Sequence, residues 1–562
     1  MKFELVNKRI AQALLVVGPL TTLAVSPWTN YDPINLIKLL ILVPIAFLCI
    51  FLVFSVFKQS IKKLSKFLWV ASAVFVLSML STLFFSGAPL TQQFWGSFGR
   101  NTGLLTYFSL LSILISTALI QRPDFYYKLL LSLLLTNIPI TIYCLVQVAD
   151  LDPIRWSEKA PFATLGNINF SSAFLGISSI VGLVLLLGKT FSKGLKLIIF
   201  LIVIIDQIII LITGSIQGIM IFIAGIGVSI FIWLHCNKKL SKFQIPYGLA
   251  AIIGTFVTVF GVSDKGPLAK FLFAPSIVYR TDYWHAGWQM TLDHPIFGVG
   301  LDSYGDWYRS ARGMISTLRT GPDRIANTAH NIFLDISSNG GLPMILAYFL
   351  LNLIAFNSGI RFLKRHKNFD ATFVALFASW IGYIIFSAVS INQIGVGVWG
   401  WLFTGSLIGY EISTRKLETD IGNTTNKSKK SLRSNVYQLP AEAGLLAFIG
   451  LILGFVLAFI PFNADVKFRT ALNSKNLTNM IETSKVIGST AFHRDLTLDT
   501  AFANSYQAQV KEISDGLRRD FPRDIMGWRA IIYLSTSSAS EREAAIQRLY
   551  ELDPFNPNLP KS

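Results

Sequence analysis

Ser276-Ile-Val-Tyr-Arg280-Thr-Asp-Tyr-Trp284, His294-Pro-Ile-Phe-Gly298-Val-Gly300, Asn327-Thr-Ala-His330-Asn331-Ile-Phe-Leu334 and Asn339-Gly-Gly341 follow one another in a single, largely polar stretch of the 562-residue chain. Apolar runs flank it on both sides. Those runs reach the roughly 18–22 residues a helix needs to cross the hydrocarbon core of a bilayer. A long connecting segment rich in His, Arg, Trp and Tyr is costly for a membrane protein, and loops with structure of their own tend to carry function. The stretch 263–341 is therefore read as the working loop, with the rest as its membrane-embedded holder.

Composition agrees. The chain is 52% hydrophobic and only 14% charged, against roughly 25% charge in a soluble domain. Its apolar runs are apolar all round rather than alternating, which excludes a transmembrane barrel and points to an all-α polytopic protein. The net charge of +18 does not argue for nucleic acid. Lys and Arg gather in short loops on one side of the membrane, the positive-inside pattern. Cys49, Cys144 and Cys236 lie in or at the ends of apolar runs without paired or metal-ligand spacing, so they read as core residues. The first apolar run, about 10–28, is followed by Asn30-Tyr-Asp-Pro33 rather than a small-residue cleavage site.

About thirteen spans fit this alternation: near 10–28, 34–57, 67–86, 103–120, 129–147, 170–188, 197–214, one more ending at His235, then 246–262, 342–359, 371–390, 395–412 and 442–461. Basic clusters at Lys58–Lys66, Arg122–Lys128, Lys189–Lys196, Lys238-Lys239 and Arg361–Lys367 fall on the side of the N-terminus, which is placed in the cytoplasm. The predicted organisation is a membrane domain over 1–412, a basic cytoplasmic linker over 413–441 (with Lys427, Lys429, Lys430 and Arg433), a final span over 442–462 and an extracytoplasmic helical tail over 463–562. Working loop and tail are nearly neutral: seven Lys/Arg against six Asp/Glu over 263–329, thirteen against twelve in the tail. Pro522–Tyr533 and Ala544–Pro554 have the look of one or two tetratricopeptide-like helix pairs, or of an ordinary helical cap.

Within the working loop, Ser276 is a plausible cap for a helix to about Leu292, which sets Arg280, Trp284 and Gly287 on one face. A guanidinium there suits an anionic phosphate, because it stays charged and offers fixed donors; it equally suits an interfacial anchor or a pair with Asp282. Asn327 or Thr328 is expected to cap a helix through Ser338, putting His330 in its first turn. The positive end of the helix dipole disfavours imidazolium there, leaving a neutral imidazole fit for a general base. A structural His bonded to loop backbone is the alternative. Gly340-Gly341-Leu-Pro343 is expected to break this helix before the next span, so that the His-bearing helix could lie along the outer surface. Asn167 and Asn169, in Thr164–Asn169, sit at a span end and are ligands or caps. Arg100 is a second phosphate ligand or an anchor. Asp206 is the lone acid placed mid-span, a functional suspect or a hydrogen-bond partner for a neighbouring helix. No metal cage or nucleotide fingerprint is present in the sequence, and no cofactor is expected.

Arg280-x-x-Tyr-Trp284-x-x-Gly287-x-x-Met290-x-x-x-His294-Pro295-x-x-Gly298-x-Gly300-x-x-x-Tyr304, followed by Ala329-His330-Asn331-x-x-Leu334 and Gly340-Gly341, resembles the superfamily of O-antigen ligases, O-antigen polymerases and protein O-oligosaccharyltransferases. The resemblance extends over about 10–412. It implies a metal-independent, inverting glycosyltransferase at the outer face of the cytoplasmic membrane. The donor would be a glycan on a polyprenyl diphosphate, and the acceptor a hydroxyl on lipid, protein or cell-wall polymer. By that likeness His330 activates the acceptor and Arg280 holds the departing diphosphate, with Tyr283, Trp284, Asn331, Asn167 and Asn169 around them. The family often carries Ser-Arg-Gly after its seventh span; this chain has Ser215-Ile216-Gln217-Gly218, so Gln217 contacts the diphosphate, or Arg100 substitutes. A polymerase of the same family, and a transporter or flippase of lipid-linked sugars, are the alternatives. The tail is a possible docking module for a protein partner or acceptor.

Overall fold

The computed structural model describes residues 2–156, 159–188, 191–273, 275–422 and 439–560; Lys189 and the basic residues Lys427, Lys429, Lys430 and Arg433 lie outside them. The fold is all helical among the described residues, and ten helices are long and apolar enough to cross a membrane. The protein is a multi-pass membrane protein. The other three expected spans are also helices, Lys2–Leu23, Leu104–Ala118 and Ile394–Gly422.

Helices in a bilayer gain little from apolar contact alone, so close backbone approach at small residues decides which pairs form. The helix Ala441–Asn473 lies along Asn35–Ser55, where a Cβ on Gly454 would stand 2.8 Å from the backbone of Pro44. Ile216–Cys236 meets Ile168–Leu186 in the same way: a Cβ on Gly218 would fall 2.6 Å from the Ser172 carbonyl oxygen. The core sits where Leu104–Ala118, Ile168–Leu186, Ala371–Val389 and Ile394–Gly422 meet, around buried Trp399, Phe174 and Tyr383. At the periphery the helix Gln244–Val262 turns Leu249, Ile252, Ile253 and Phe256 outward, as a lipid-facing surface does.

Two charged groups inside the bundle are satisfied locally. Lys38, fully buried, donates from Nζ to the carbonyls of Thr21 (3.1 Å), Thr22 (2.8 Å) and Ala24 (2.9 Å), closing the exposed end of the first helix with a cation. Asp206 accepts from Asn137 Nδ2 (2.7 Å) and Thr141 Oγ1 (2.6 Å) on a neighbouring helix. Its inter-helix partners are hydrogen-bond donors, the plainer of the two expectations for this residue.

The last span does not stop at the bundle's edge. Ala441–Asn473 is one helix of 33 residues, and it leads directly into five shorter helices between Leu477 and Leu552 that pack one against the next. These fold back onto the segment 306–324. Asp553 is held by Arg312 (2.7 Å) and Arg309 (3.1 Å), and the Arg523 guanidinium lies 3.4 Å over the Trp307 ring. On the other flank Phe492 stacks on Phe98 at 4.1 Å. There Asp465 takes His493 Nε2 (3.0 Å) and the backbone N–H of Tyr31 (2.6 Å).

Candidate functional site

The helix expected from Ser276 runs Pro275–Asp293, so Ser276 falls in its first turn rather than at its cap. It approaches the His330 segment closely because residue 287 is glycine: a Cβ there would stand 3.3 Å from both Ala329 and Tyr304. Arg280 and Tyr283 are thereby brought beside His330. The Tyr283 ring stacks on the imidazole with centroids 5.2 Å apart, and the Tyr283 carbonyl accepts from the Tyr304 hydroxyl (2.7 Å). Trp284 lies on the same helix with its indole N–H buried and without a hydrogen-bond partner.

The helix carrying His330 starts later than expected. It begins at Ile332, and Asn331 is its cap, accepting from the N–H groups of Phe333 (3.0 Å) and Leu334 (3.2 Å). Asn327 and Thr328 therefore do not cap it, and His330 precedes the first turn. The physical reason lies in the turn itself. Asp335 Oδ1 reaches back to the Ala329 N–H (2.6 Å), and His330 takes a left-handed conformation at φ 51°, which reverses the chain and presents the ring. The helix then kinks at Gly341 (φ 73°) and continues to Arg365 as a span. The Leu342 N–H that the kink frees is taken by the Pro295 carbonyl (2.7 Å). This first section is largely buried within the protein, at Asp335, Ile336, Ser337 and Ser338.

Arg100 belongs to a loop shaped by Asp302, whose Oδ2 accepts from the N–H groups of Ser97 (2.7 Å) and Thr102 (3.0 Å). Its guanidinium donates to Asn327 Oδ1 at 2.9 Å through one terminal nitrogen and 3.3 Å through Nε, which ties this loop to the His330 segment. Arg280 has no ion-pair or hydrogen-bond partner among the described residues. Asp282, one candidate, is engaged by Arg319 (2.8 Å).

His330, Arg280, Arg100, Asn167 and Asn169 line one cavity of about 240 Å³. Its remaining polar lining is Asn35 and the turn Ser390–Gln393, which sequence reading passed over as an ordinary connection between spans. None of the residues lining it is acidic. Asn167 accepts from the Asn169 N–H (2.9 Å) and caps the helix after it, so capping and cavity lining coincide there. Gln217 does not line the cavity. It donates to the Val389 carbonyl (2.8 Å), one residue before cavity-lining Ser390. Asn331 and Tyr283 do not line the cavity: Asn331 caps the following helix, and Tyr283 stacks on the imidazole.

Burial, then the charges of Arg100 and Arg280, lower the His330 pKa from 6.5 to about 4. The neutral imidazole that the sequence suggested through a helix dipole thus arises from desolvation and two guanidinium neighbours. Among the described residues neither ring nitrogen is hydrogen-bonded. Because the folded value lies below the unfolded one, the unfolded chain binds this proton first. The group's contribution to stability is intact above about pH 6.5 and declines as pH falls toward 4. A step that needs the neutral ring is expected to hold its rate down to about pH 5. Replacing Arg100 or Arg280 with Gln should move the acid limb of the pH–rate profile upward. A limb near 6.5 in the unaltered protein would contradict this.

Residues 198–349 match the family model described as O-antigen ligase. Over that segment, about a quarter of its length, the chain is similar to O-antigen ligases. The matched segment contains Gln217, Arg280 and His330; Arg100, Asn167 and Asn169 reach the cavity of Arg280 and His330 from outside it. A comparison with curated proteins finds no match.

Proposed function

We propose that the protein transfers a glycan from a polyprenyl-diphosphate carrier to an acceptor hydroxyl at the outer face of the cytoplasmic membrane, with its N-terminus in the cytoplasm and its tail outside. The observation that carries this reading is the shared cavity. It holds an unpartnered neutral imidazole and an unpaired guanidinium, with a second guanidinium alongside. His330 takes the acceptor's proton as its oxygen attacks the anomeric carbon. The bond from that carbon to the diphosphate oxygen breaks, and its electron pair leaves on the diphosphate. Arg280 and Arg100 neutralise the charge that develops there, a task often given to metal ions elsewhere. Attack opposite the leaving group inverts the anomeric centre. Asn167 and Asn169 line the donor pocket, Tyr283, Trp284 and Asn331 hold the imidazole in place, and Gln217 acts through the Val389 carbonyl.

The test is reconstitution. Purified protein in lipid, given a polyprenyl-diphosphate-linked oligosaccharide and an acceptor, is expected to release polyprenyl diphosphate in step with glycosylated product, in the presence of a chelator. One addition per acceptor identifies a ligase or oligosaccharyltransferase, and a ladder a polymerase. Movement of the intact lipid-linked sugar across the bilayer without release would replace the reading with transport.

A further inference from the structure

The cavity has a wall that the functional reading leaves unused: Ser390-Ile391-Asn392-Gln393, joining the helices Ala371–Val389 and Ile394–Gly422. Asn392 is 6% exposed and Gln393 4%. Gln393 Oε1 accepts from the Val396 N–H (3.0 Å), which fixes the side chain, while its Nε2 has no hydrogen-bond partner. In Asn392 both the amide oxygen and the amide nitrogen lack one. Tyr107 reaches Asn392 as a side-chain hydrogen-bond partner, by a contact outside strict geometry, so at least one end of that amide is unpaired. A buried polar group left unpaired gives up its hydration without a replacement hydrogen bond, and so destabilises the fold. Unpaired atoms on two adjacent residues, beside an open cavity, are a loss of stability that the fold does not offset.

The chemistry of the wall narrows what does offset it. Amides present donors and acceptors together and no charge, matching a sugar ring whose hydroxyl and acylamino groups both give and take hydrogen bonds. The two guanidiniums in the same cavity supply donors only, which suits phosphate. We infer that Asn392 and Gln393 form the subsite for the donor's first sugar, reading the uncharged hydroxyl or acylamino groups of the ring attached to the diphosphate. This rests on the transferase reading and adds to it the determinant of donor sugar choice.

The experiment uses full-length protein in lipid nanodiscs and two probes: a polyprenyl diphosphate bearing one N-acetylhexosamine, and the same lipid diphosphate without sugar. Asn392→Leu, nearly isosteric, is expected to weaken the sugar-bearing probe about tenfold or more while leaving the bare one within about twofold. The variant's melting temperature should be equal to or above that of the unaltered protein, because an unpaired amide has been removed. The inference is overturned if both probes weaken alike, if neither changes, or if the melting temperature falls, which would mark Asn392 as structural. Failure of the unaltered protein to bind even the bare lipid diphosphate would instead refute the transferase reading, and the subsite with it.

Discussion

His330→Ala is expected to lower glycan transfer by about a hundred- to ten-thousand-fold, the range for loss of a positioned general base, with donor binding little changed. The ring has no hydrogen bond to lose among the described residues and stacks on Tyr283. Its removal should therefore cost little stability, and lost activity is not explained by unfolding. Arg280→Ala should cost about a hundred- to a thousand-fold and weaken the bare lipid diphosphate as well, since that guanidinium has no other partner among the described residues. Arg280→Lys keeps the charge but not the planar fork and should recover only part of the rate. Comparable transfer by His330→Ala and the unaltered protein would end the role given to the imidazole.

The second large effect lies far from the imidazole. Arg312 is fully buried and Asp553, in the tail, is 1% exposed. Arg312 also donates to the carbonyls of Pro322 (2.9 Å) and Arg324 (3.0 Å), so it organises the segment leading to Asn327, the residue that holds Arg100. Asp553→Ala strips a buried cation of its counter-charge, a change that costs about 3–5 kcal/mol. The expected result is a tail that limited proteolysis cleaves readily, a lower melting temperature, and reduced transfer although the cavity's lining is untouched. If the variant resists protease as the unaltered protein does, the pair does not secure the tail.

Much of this was legible in the sequence, for identifiable reasons. Length and apolarity mark ten of the thirteen expected spans among the described residues, because a bilayer admits few other solutions. Arg280 and His330 stood out because charged and titratable groups are sparse in so apolar a chain. The turn at His330 was not legible. Asn327, Thr328 and Asn331 all have capping side chains, and what selects Asn331 is the reach of Asp335 back to the Ala329 N–H, a contact no propensity encodes. Asn392 and Gln393 look like any polar pair between two spans until both are found buried with unpaired atoms. Nothing in the sequence singles out Lys38, yet it closes the end of the helix just before its own. The near-neutral charge of loop and tail hid their mutual attraction, because balance within each segment says nothing of pairing between them.

The unbroken helix Ala441–Asn473 sets a mechanical condition on the tail. Thirty-three residues make a rod about 50 Å long, clamped along much of its length against Asn35–Ser55. Whatever the tail presents is offered at one fixed azimuth and height, like a bracket on a post. Inserting a single residue into the rod would swing everything beyond it by about 100° and carry Asp553 away from Arg312. The tail's orientation is thus decided by the rod, and lineages exchanging such tails would have to conserve helical phase before sequence.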